Sequence, residues 1–179
     1  MPAWMLAPRG ASETSKIYFG YAEEGLYIAA EITDSKSRAA NPRDFWVNAD
    51  CMEIGFNSTP DFTPGRVWTQ NDHQFWLCPI IGENRVYAGL WGRTEGQPTD
   101  YDIKGVKSAA KKTADGYTME VLIPASRIKG YNPKKGATSA LTFTIAVQGL
   151  RADREIFWPS GKRDDTIGTS SRWGRVTLD

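Results

Sequence analysis

The sequence predicts an all-β protein, a two-sheet antiparallel β-sandwich, and three observations support this fold class. Roughly ten short runs of apolar or alternating residues are separated by turns rich in Gly, Pro and polar residues. No stretch has the length and period of a long amphipathic helix, and no internal repeat is visible. A chain of 179 residues suffices for one full core, so we expect a single domain over residues 1–179.

The N-terminal half is expected to supply four strands. Residues 1–16 contain Pro, Gly and Ser and form an N-terminal segment that Trp4 anchors. The predicted strands cover residues 17–21, 26–33, 50–56 and 73–78. A hairpin turn at residues 22–25 joins the first two strands. The polar segments 34–48 and 57–72, which both contain Pro, are expected to be loops.

The C-terminal half is expected to supply six more strands. They cover residues 85–91, 106–112, 117–123, 141–147, 155–158 and 175–178. The segment Thr113-Ala114-Asp115-Gly116 is a hairpin turn between the second and the third of these, and Pro124 ends the third. Strand 141–147 shows the cleanest period-two alternation in the chain. One helical turn is expected at residues 126–131.

Two of these strands carry the candidate functional residues. Strands 50–56 and 73–78, paired antiparallel, present one apolar and one mixed face, because side chains alternate between faces. The apolar face holds Met52, Ile54, Phe56, Phe75 and Leu77. The other face carries Glu53, Gln74 and Trp76, an acceptor, an amide and a flat ring that could receive a sugar. The alternative is that this face is a second buried surface of the sandwich.

The two cysteines lie in the same strand pair. A register that places Cys51 opposite Cys78 also places Glu53 opposite Trp76 and Gly55 opposite Gln74. A cross-strand disulfide and two buried free thiols both agree with this register, so the sequence leaves both open.

The charge balance disfavours two classes of partner. The chain has 22 Lys and Arg against 21 Asp and Glu, without the basic excess of a nucleic-acid or anionic-membrane binder. No run approaches the roughly 18 apolar residues of a membrane span. Residues 1–10 lack the pattern of a signal peptide, which is compatible either with a cytoplasmic protein or with a piece of a secreted one.

The sequence also predicts that the protein is not an enzyme. His73 is the only histidine, and its position at a strand start favours a structural role. Asp50 and Glu53 are three residues apart in one strand, so they point to opposite faces and are not a glycosidase carboxylate pair. No phosphate loop, zinc-spaced cluster or dinucleotide fingerprint occurs.

The aromatic side chains are more informative about function than the catalytic residue types. The chain has seven each of Trp, Tyr and Phe, more than one core of this size needs, so some rings are expected at the surface. The candidate stacking residues are Trp46, Trp68, Trp76, Trp91 and Trp158. Trp158 shares its strand with Ile156 and Phe157, which favours core packing, whereas Trp68 lies in a polar loop.

Four segments, in order, resemble strands of the family 9 carbohydrate-binding modules. Residues 25–34, GLYIAAEITD, are similar to the family pattern LYVAxEVTD, and residues 50–56, DCMEIGF, are similar to DSVEIF. Residues 115–124, DGYTMEVLIP, are similar to TGYTVEIAIP, and residues 173–178, WGRVTL, are similar to the closing FGTLxL. Together these matches span most of the chain.

The resemblance implies a DOMON-like β-sandwich of immunoglobulin-like jelly-roll topology, often with structural Ca²⁺. It also implies a site in which two Trp sandwich a terminal sugar and polar side chains take its hydroxyls. Trp46 is similar to the first of these Trp, Glu53 to the acidic ligand residue and Gln148 to a Gln near the end of its strand. The chain departs from the family at Trp76, which replaces an Arg, and at 164–168, where the second Trp is missing.

We therefore expect a non-catalytic module that tethers a polysaccharide-degrading enzyme to its glycan, in an extracellular or periplasmic location. Structural Ca²⁺ is implied only by the resemblance, and the sequence selects no ligands for it. The expected partners are a polysaccharide or oligosaccharide and a catalytic domain of the parent protein. The predicted ligand-binding residues are Trp46, Glu53, Gln74, Trp76 and Gln148. One alternative is a haem-binding electron-transfer domain that uses Met52, Met119 or His73, although no haem-attachment motif occurs and no haem is expected. The other alternative is a structural accessory domain without a ligand.

Overall fold

The computed structural model describes residues 3–6, 15–34, 49–146, 155–159 and 170–178, and these form eleven strands and two short 3₁₀ turns. The strands are β1 (Ala3–Leu6), β2 (Ser15–Ala22), β3 (Gly25–Thr33), β4 (Cys51–Asn57), β5 (His73–Ile80), β6 (Arg85–Leu90), β7 (Lys107–Lys112), β8 (Gly116–Pro124), β9 (Thr138–Ala146), β10 (Glu155–Trp158) and β11 (Gly174–Thr177). The 3₁₀ turns are Ile81–Glu83 and Ala125–Arg127. No helix in the described ranges is long and apolar enough to cross a membrane.

The strands form two antiparallel sheets. The five-stranded sheet has the order β1-β2-β3-β8-β7. The six-stranded sheet has the order β10-β9-β4-β5-β6, with β11 also paired to β9. The predicted two-sheet antiparallel β-sandwich is therefore confirmed.

All ten predicted strands are present, and the sequence analysis missed one. Strand β1 lies in the segment that was expected to lack regular structure, and it pairs with β2 so that Ala3 is opposite Tyr18. Its four residues carry neither a period-two alternation nor a turn signal, so this edge strand is recognised only through its partner. The predicted turn at 126–131 is present as the shorter turn Ala125–Arg127.

The main core lies between the two sheets. Alternate residues of β4 and β9 point into it, and Met52, Ile54 and Phe143 are at most 1% exposed. Phe19 of the five-stranded sheet meets Phe143 of the six-stranded sheet with ring centroids 5.6 Å apart. Met119 lies in the same core, as its position in a strand of alternating residues predicts.

A second apolar cluster covers part of the outer face of the six-stranded sheet. It consists of Ala49, Cys51, Trp76, Cys78, Ile80 and Ala146. Every residue of β5 is buried, so this central strand has no solvated face. Gln74 and Trp76, which we placed on a face that could receive a sugar, are therefore buried, and at β5 the alternative of a second buried surface applies.

The register of β4 on β5 agrees with the sequence analysis. Glu53 is opposite Trp76 and Gly55 is opposite Gln74. Cys51 and Cys78 are free and buried, so of the two possibilities left open the structure contains two thiols. The hydrogen bond with Cys78, together with burial, raises the pKa of the Cys51 thiol.

Candidate functional site

A cluster of polar and aromatic side chains surrounds Glu53 on the outer face of the six-stranded sheet. Glu53 is half-buried, on the face of β4 opposite the main core. The indole Nε1 of Trp91 donates to Glu53 Oε1 at 3.0 Å. The amide Nε2 of Gln74 donates to Glu53 Oε2 at 3.4 Å. One donor from each side of the carboxylate fixes its orientation on the sheet.

Arg93 adds a cation to this Glu53 cluster. Its Nε donates to Gln74 Oε1 at 2.7 Å, so Gln74 links the guanidinium to the Glu53 carboxylate. The guanidinium carbon lies 5.7 Å from the ring centroids of both Trp91 and Trp68, within cation–π range. Desolvation lowers the pKa of Arg93 while Glu53 acts to raise it, and an arginine remains charged under these conditions.

Two further indoles extend the cluster along the sheet. Trp173, which is 3% exposed, lies over Gly55 of β4, where a Cβ would come within 2.6 Å of the indole ring. Glycine at this position is therefore what allows the ring to lie against the sheet. Trp68 is half-buried and meets Trp173 edge to face, with ring centroids 5.6 Å apart.

A buried carboxylate holds the loop that carries Trp68. Asp72 is 0% exposed and accepts from Asn57 Nδ2 and from the backbone N–H of Thr69, both at 2.8 Å. Burial raises the pKa of Asp72, but the neighbouring polar groups of Ser170, Asn57 and Thr69 outweigh burial and bring the pKa below its usual value. Arg66 adds an ion pair at 3.5 Å. The loop position of Trp68 is thus fixed by polar contacts at its end.

The structure places the predicted site residues in different environments. Glu53 and Gln74 lie on the face on which their strand positions placed them, and the structure adds a hydrogen bond between them. Trp76 is 0% exposed, and its ring lies over Gly89 of β6, where a Cβ would come within 2.0 Å of it. A ring with no accessible face offers no stacking surface, so Trp76 is a packing residue in this structure. Trp46 and Gln148 lie outside the described residues.

The other candidate tryptophans also separate into core residues and residues of the Glu53 cluster. Trp158 stacks on Phe143 with ring centroids 5.6 Å apart and planes at 8°, which is the core packing that its strand favoured. Trp68 and Trp91 are both half-buried and both belong to the Glu53 cluster. The aromatic surface of the cluster therefore comes from these two rings and not from Trp76.

The sequence analysis missed Arg93 and Trp173. Arg93 follows Trp91 by two residues, so a continued period-two alternation beyond β6 would have placed both on one face. Trp173 gave no such signal, because it precedes β11 and reaches β4 only through the pairing of β11 with β9 and of β9 with β4.

His73 has a structural role, as its position predicted. It is 2% exposed, its Nδ1 lies 2.9 Å from Asn71 O, and its Nε2 accepts from the backbone N–H of Lys129 at 3.0 Å. This pair of contacts requires a neutral ring with the proton on Nδ1. Burial lowers the pKa of His73, and the hydrogen bonds to Asn71 and Phe56 only partly oppose this effect.

The depressed pKa of His73 predicts that stability falls on mild acidification. Because the folded-state pKa lies below the unfolded value of 6.5, the unfolded state binds the proton first. The contribution of neutral His73 to the free energy of unfolding is fully present above a pH of about 6.5. It decreases by up to about 1.4 kcal/mol per pH unit as the pH falls toward the folded-state pKa. Thermal melts between neutral and mildly acidic pH should show this decrease, and the variant His73→Gln should show a smaller one. If the melting temperatures of both proteins fall equally with pH, His73 is not the group that causes the decrease.

Comparisons with known proteins agree with the architecture. The model of the carbohydrate family 9 binding domain-like family matches residues 3–179. No curated protein matches the sequence significantly. Two solved structures of a family 9 carbohydrate-binding module from Caldicellulosiruptor kristjanssonii, in complex with cellotriose and with glucose, superpose with a TM-score of 0.67 at 17% identity.

The alignments cover most of each molecule. The cellotriose complex matches 98% of this chain and 82% of its own length, and the glucose complex matches 94% and 78%. A third structure, of a protein from Bacteroides uniformis, matches 93% of this chain and 79% of its own, with a TM-score of 0.60 and 12% identity. Because the family model matches almost the full length, the chain belongs to the carbohydrate family 9 binding domain-like family, and its function is carbohydrate binding.

Proposed function

We propose that this chain is a non-catalytic family 9 carbohydrate-binding module that holds a polysaccharide-degrading enzyme on its glycan substrate. The observation that carries the proposal is the Glu53 cluster, where a carboxylate, an amide and a guanidinium lie beside two half-buried indoles. Tethering raises the local concentration of substrate without any chemistry at the module itself. The whole of residues 1–179 would act as one such module.

The cluster combines the two kinds of contact that a sugar requires. The C–H patches of a pyranose ring pack on the faces of Trp91 and Trp68, and the ring hydroxyls need directional partners. Glu53 accepts hydrogen bonds and Arg93 donates them, while the buried amide of Gln74 holds both side chains in place. We retain Trp46 and Gln148 in the proposed site on the family resemblance.

The first ligands to test are gluco-oligosaccharides, because the similar Caldicellulosiruptor module was solved with cellotriose and with glucose. We expect cellotriose to bind in isothermal titration calorimetry, and glucose to bind more weakly because it covers less aromatic surface. Mannotriose is a matched control for the stereochemistry of the hydroxyls. Absence of heat with all three sugars, and no retention on insoluble cellulose, xylan or mannan, would contradict the proposed function.

The absence of catalysis is a proposal that the geometry of His73 supports. Both ring nitrogens of this histidine engage backbone groups, so it is unsuited to act as a general base. We expect no reducing ends to be released from soluble or insoluble polysaccharides. Release above a buffer control would show that the module has catalytic activity.

The burial of the candidate axial ligands supports carbohydrate binding over the haem alternative. Met52 and Met119 are 1% and 2% exposed in the main core, and His73 is engaged as described above. A haem ligand must instead project into a pocket that admits the macrocycle. The purified protein should be colourless, and a stoichiometric Soret band would reverse this ranking.

Structural calcium is a further part of the proposal. Asp34 and Asp50, which flank the segment 35–48, are 3% and 1% exposed. Burial raises the pKa of Tyr117, and the charges of Asp50 and Asp34 raise it further. Two buried carboxylates suit a hard cation such as Ca²⁺. The described residues contain no group of three or more candidate ligands, so the remaining ligands would come from elsewhere, with Asp44 a candidate within 35–48.

Removal of calcium is expected to lower the melting temperature. A bound ion stabilises the folded state by mass action, by about 2.7 kcal/mol at a concentration a hundredfold above Kd. We expect EDTA to lower the midpoint of thermal unfolding and excess Ca²⁺ to restore it, and Asp50→Asn to abolish the response. The control is Asp102→Asn, an exposed residue in a surface ion pair with Lys104. Identical melts with and without EDTA would exclude a stabilising calcium ion.

The proposed location is extracellular or periplasmic, where a polysaccharide substrate and millimolar calcium are both available. The proposed protein partner is a catalytic domain of the parent protein. Fusion of the chain to such a domain should increase its activity on insoluble but not on soluble substrate.

A further inference from the structure

A pocket separate from the Glu53 cluster opens where β5 begins and β6 ends. Its volume is about 650 Å³, within the range of small-ligand sites. The loop after β6 forms one wall, and paired backbone hydrogen bonds of 2.8 and 2.9 Å between Leu90 and Asp100 anchor that wall to the sheet. Tyr101, which is 51% exposed, presents a ring at the mouth. None of Glu53, Gln74, Trp91 and Arg93 lines the pocket.

The charged groups of the pocket leave an excess of one positive charge. Arg127 forms an ion pair with Asp100, so this cation is balanced. Lys129 contacts the neutral amide oxygen of Gln70. His73, which also lines the pocket, is neutral for the reasons given above. A carboxylate that enters the pocket would therefore meet an ammonium group whose described partner carries no charge.

One residue of the pocket lining has an acceptor that lacks a donor. Gln97 lines the pocket, and its Oε1 is buried and accepts no hydrogen bond from the described residues. A buried acceptor without a partner costs about 1–3 kcal/mol. The terminal torsion of a Gln side chain has a broad energy profile, so the amide can turn toward a hydroxyl group placed in the pocket. Thr99 and Ser126 add two more hydroxyl partners to the same lining.

We propose that this pocket is a second saccharide site that takes a sugar acid. The carboxylate of the ligand pairs with Lys129, a ring hydroxyl donates to Gln97, and Tyr101 covers one face of the pyranose. Hydroxyl partners and an aromatic ring suit a sugar, and the unbalanced cation selects an acidic one over a neutral one. A module with both sites would recognise glycans that carry uronic acid residues beside neutral ones.

The test uses three probes that carry different parts of the proposed ligand. Glucuronate carries both the sugar ring and the carboxylate, glucose lacks the carboxylate, and acetate lacks the ring. In ¹H–¹⁵N correlation spectra, glucuronate is expected to shift the backbone amides of residues 96–101 and 126–129, with an affinity that falls as NaCl is raised. Equal shifts with acetate would overturn the sugar contact, equal shifts with glucose would overturn the carboxylate contact, and no shifts would overturn the site.

Two variants assign the contacts. Lys129→Gln should weaken glucuronate binding about tenfold, as expected for loss of a charge-assisted hydrogen bond, and Lys135→Gln, an exposed lysine outside the lining, should leave it unchanged. Gln97→Leu should weaken binding without lowering the melting temperature, because it removes an unpaired acceptor. A lower melting temperature with unchanged affinity would give Gln97 a purely structural role and overturn its contact.

The proposals for the pocket and for the Glu53 cluster can be tested independently of each other. Glu53→Gln should leave the glucuronate shifts at residues 96–101 in place, whatever its effect on neutral oligosaccharides. Loss of those shifts in Glu53→Gln would mean that glucuronate binds the Glu53 cluster, and the second site would be rejected. Failure of cellotriose binding in the parent protein would instead concern only the proposed function.

Discussion

Replacement of Trp76 by alanine is expected to lower the free energy of unfolding by about 3–5 kcal/mol, the range for loss of a large buried side chain. The indole is 0% exposed, lies over Gly89 and belongs to the apolar cluster with Cys51 and Cys78. The close-packed surroundings relax only in part around the removed ring, so a cavity remains. Urea unfolding at neutral pH measures this change in the free energy of unfolding. The dependence of that free energy on urea concentration should be unaltered, while the urea concentration at the midpoint falls.

The contrasting result would identify Trp76 as a ligand platform. In that case the variant would keep its unfolding midpoint and lose sugar binding by roughly 1–3 kcal/mol, as for an exposed aromatic anchor. Val67→Ala, at a side chain that is 75% exposed, is the matched control and should change neither quantity. Trp76→Phe should fall between the control and the alanine variant in stability, because it retains part of the buried ring.

Substitution of Glu53 by glutamine is expected to weaken binding of a neutral oligosaccharide by roughly tenfold to a hundredfold. The change preserves shape and leaves an oxygen that can accept from Trp91 Nε1. It removes the charge, and it places an amide donor next to the Gln74 donor. Hydrogen bonds to charged groups contribute about 1.5–3 kcal/mol, which sets the expected loss of binding. Calorimetric titration with cellotriose gives the affinity, and a thermal melt verifies the fold.

The control for Glu53→Gln is Glu120→Gln, an exposed carboxylate on the outer face of the five-stranded sheet. Trp91→Ala is the second test, because it removes both a stacking ring and the donor to Glu53. Unchanged affinity in both folded variants would place the sugar site elsewhere on the chain. A selective loss in both variants, with Glu120→Gln unaffected, would locate the ligand at the Glu53 cluster.

Much of the fold was predictable because its signals are local. The alternation of β9 specifies which of its side chains enter the core, and the turn before β8 specifies the hairpin with β7. The register of β4 on β5 follows from the same alternation, since a slip by one residue would reverse every side chain. Strand β1 was missed because a short edge strand is stabilised by its partner and carries little pattern of its own.

The sequence by itself determined the sandwich, its family and the shared face of Glu53 and Gln74, because alternation within paired strands decides which side chains share a face. Only the tertiary structure decided which tryptophans are accessible. Trp76 and Trp91 have the same residue type and both lie on or beside the sheet, yet Trp76 is buried over Gly89 and Trp91 is half-buried against Glu53. Arg93 and Trp173 reach the same face through neighbouring strands. Burial depends on what covers a face, and that covering comes from residues distant in the chain.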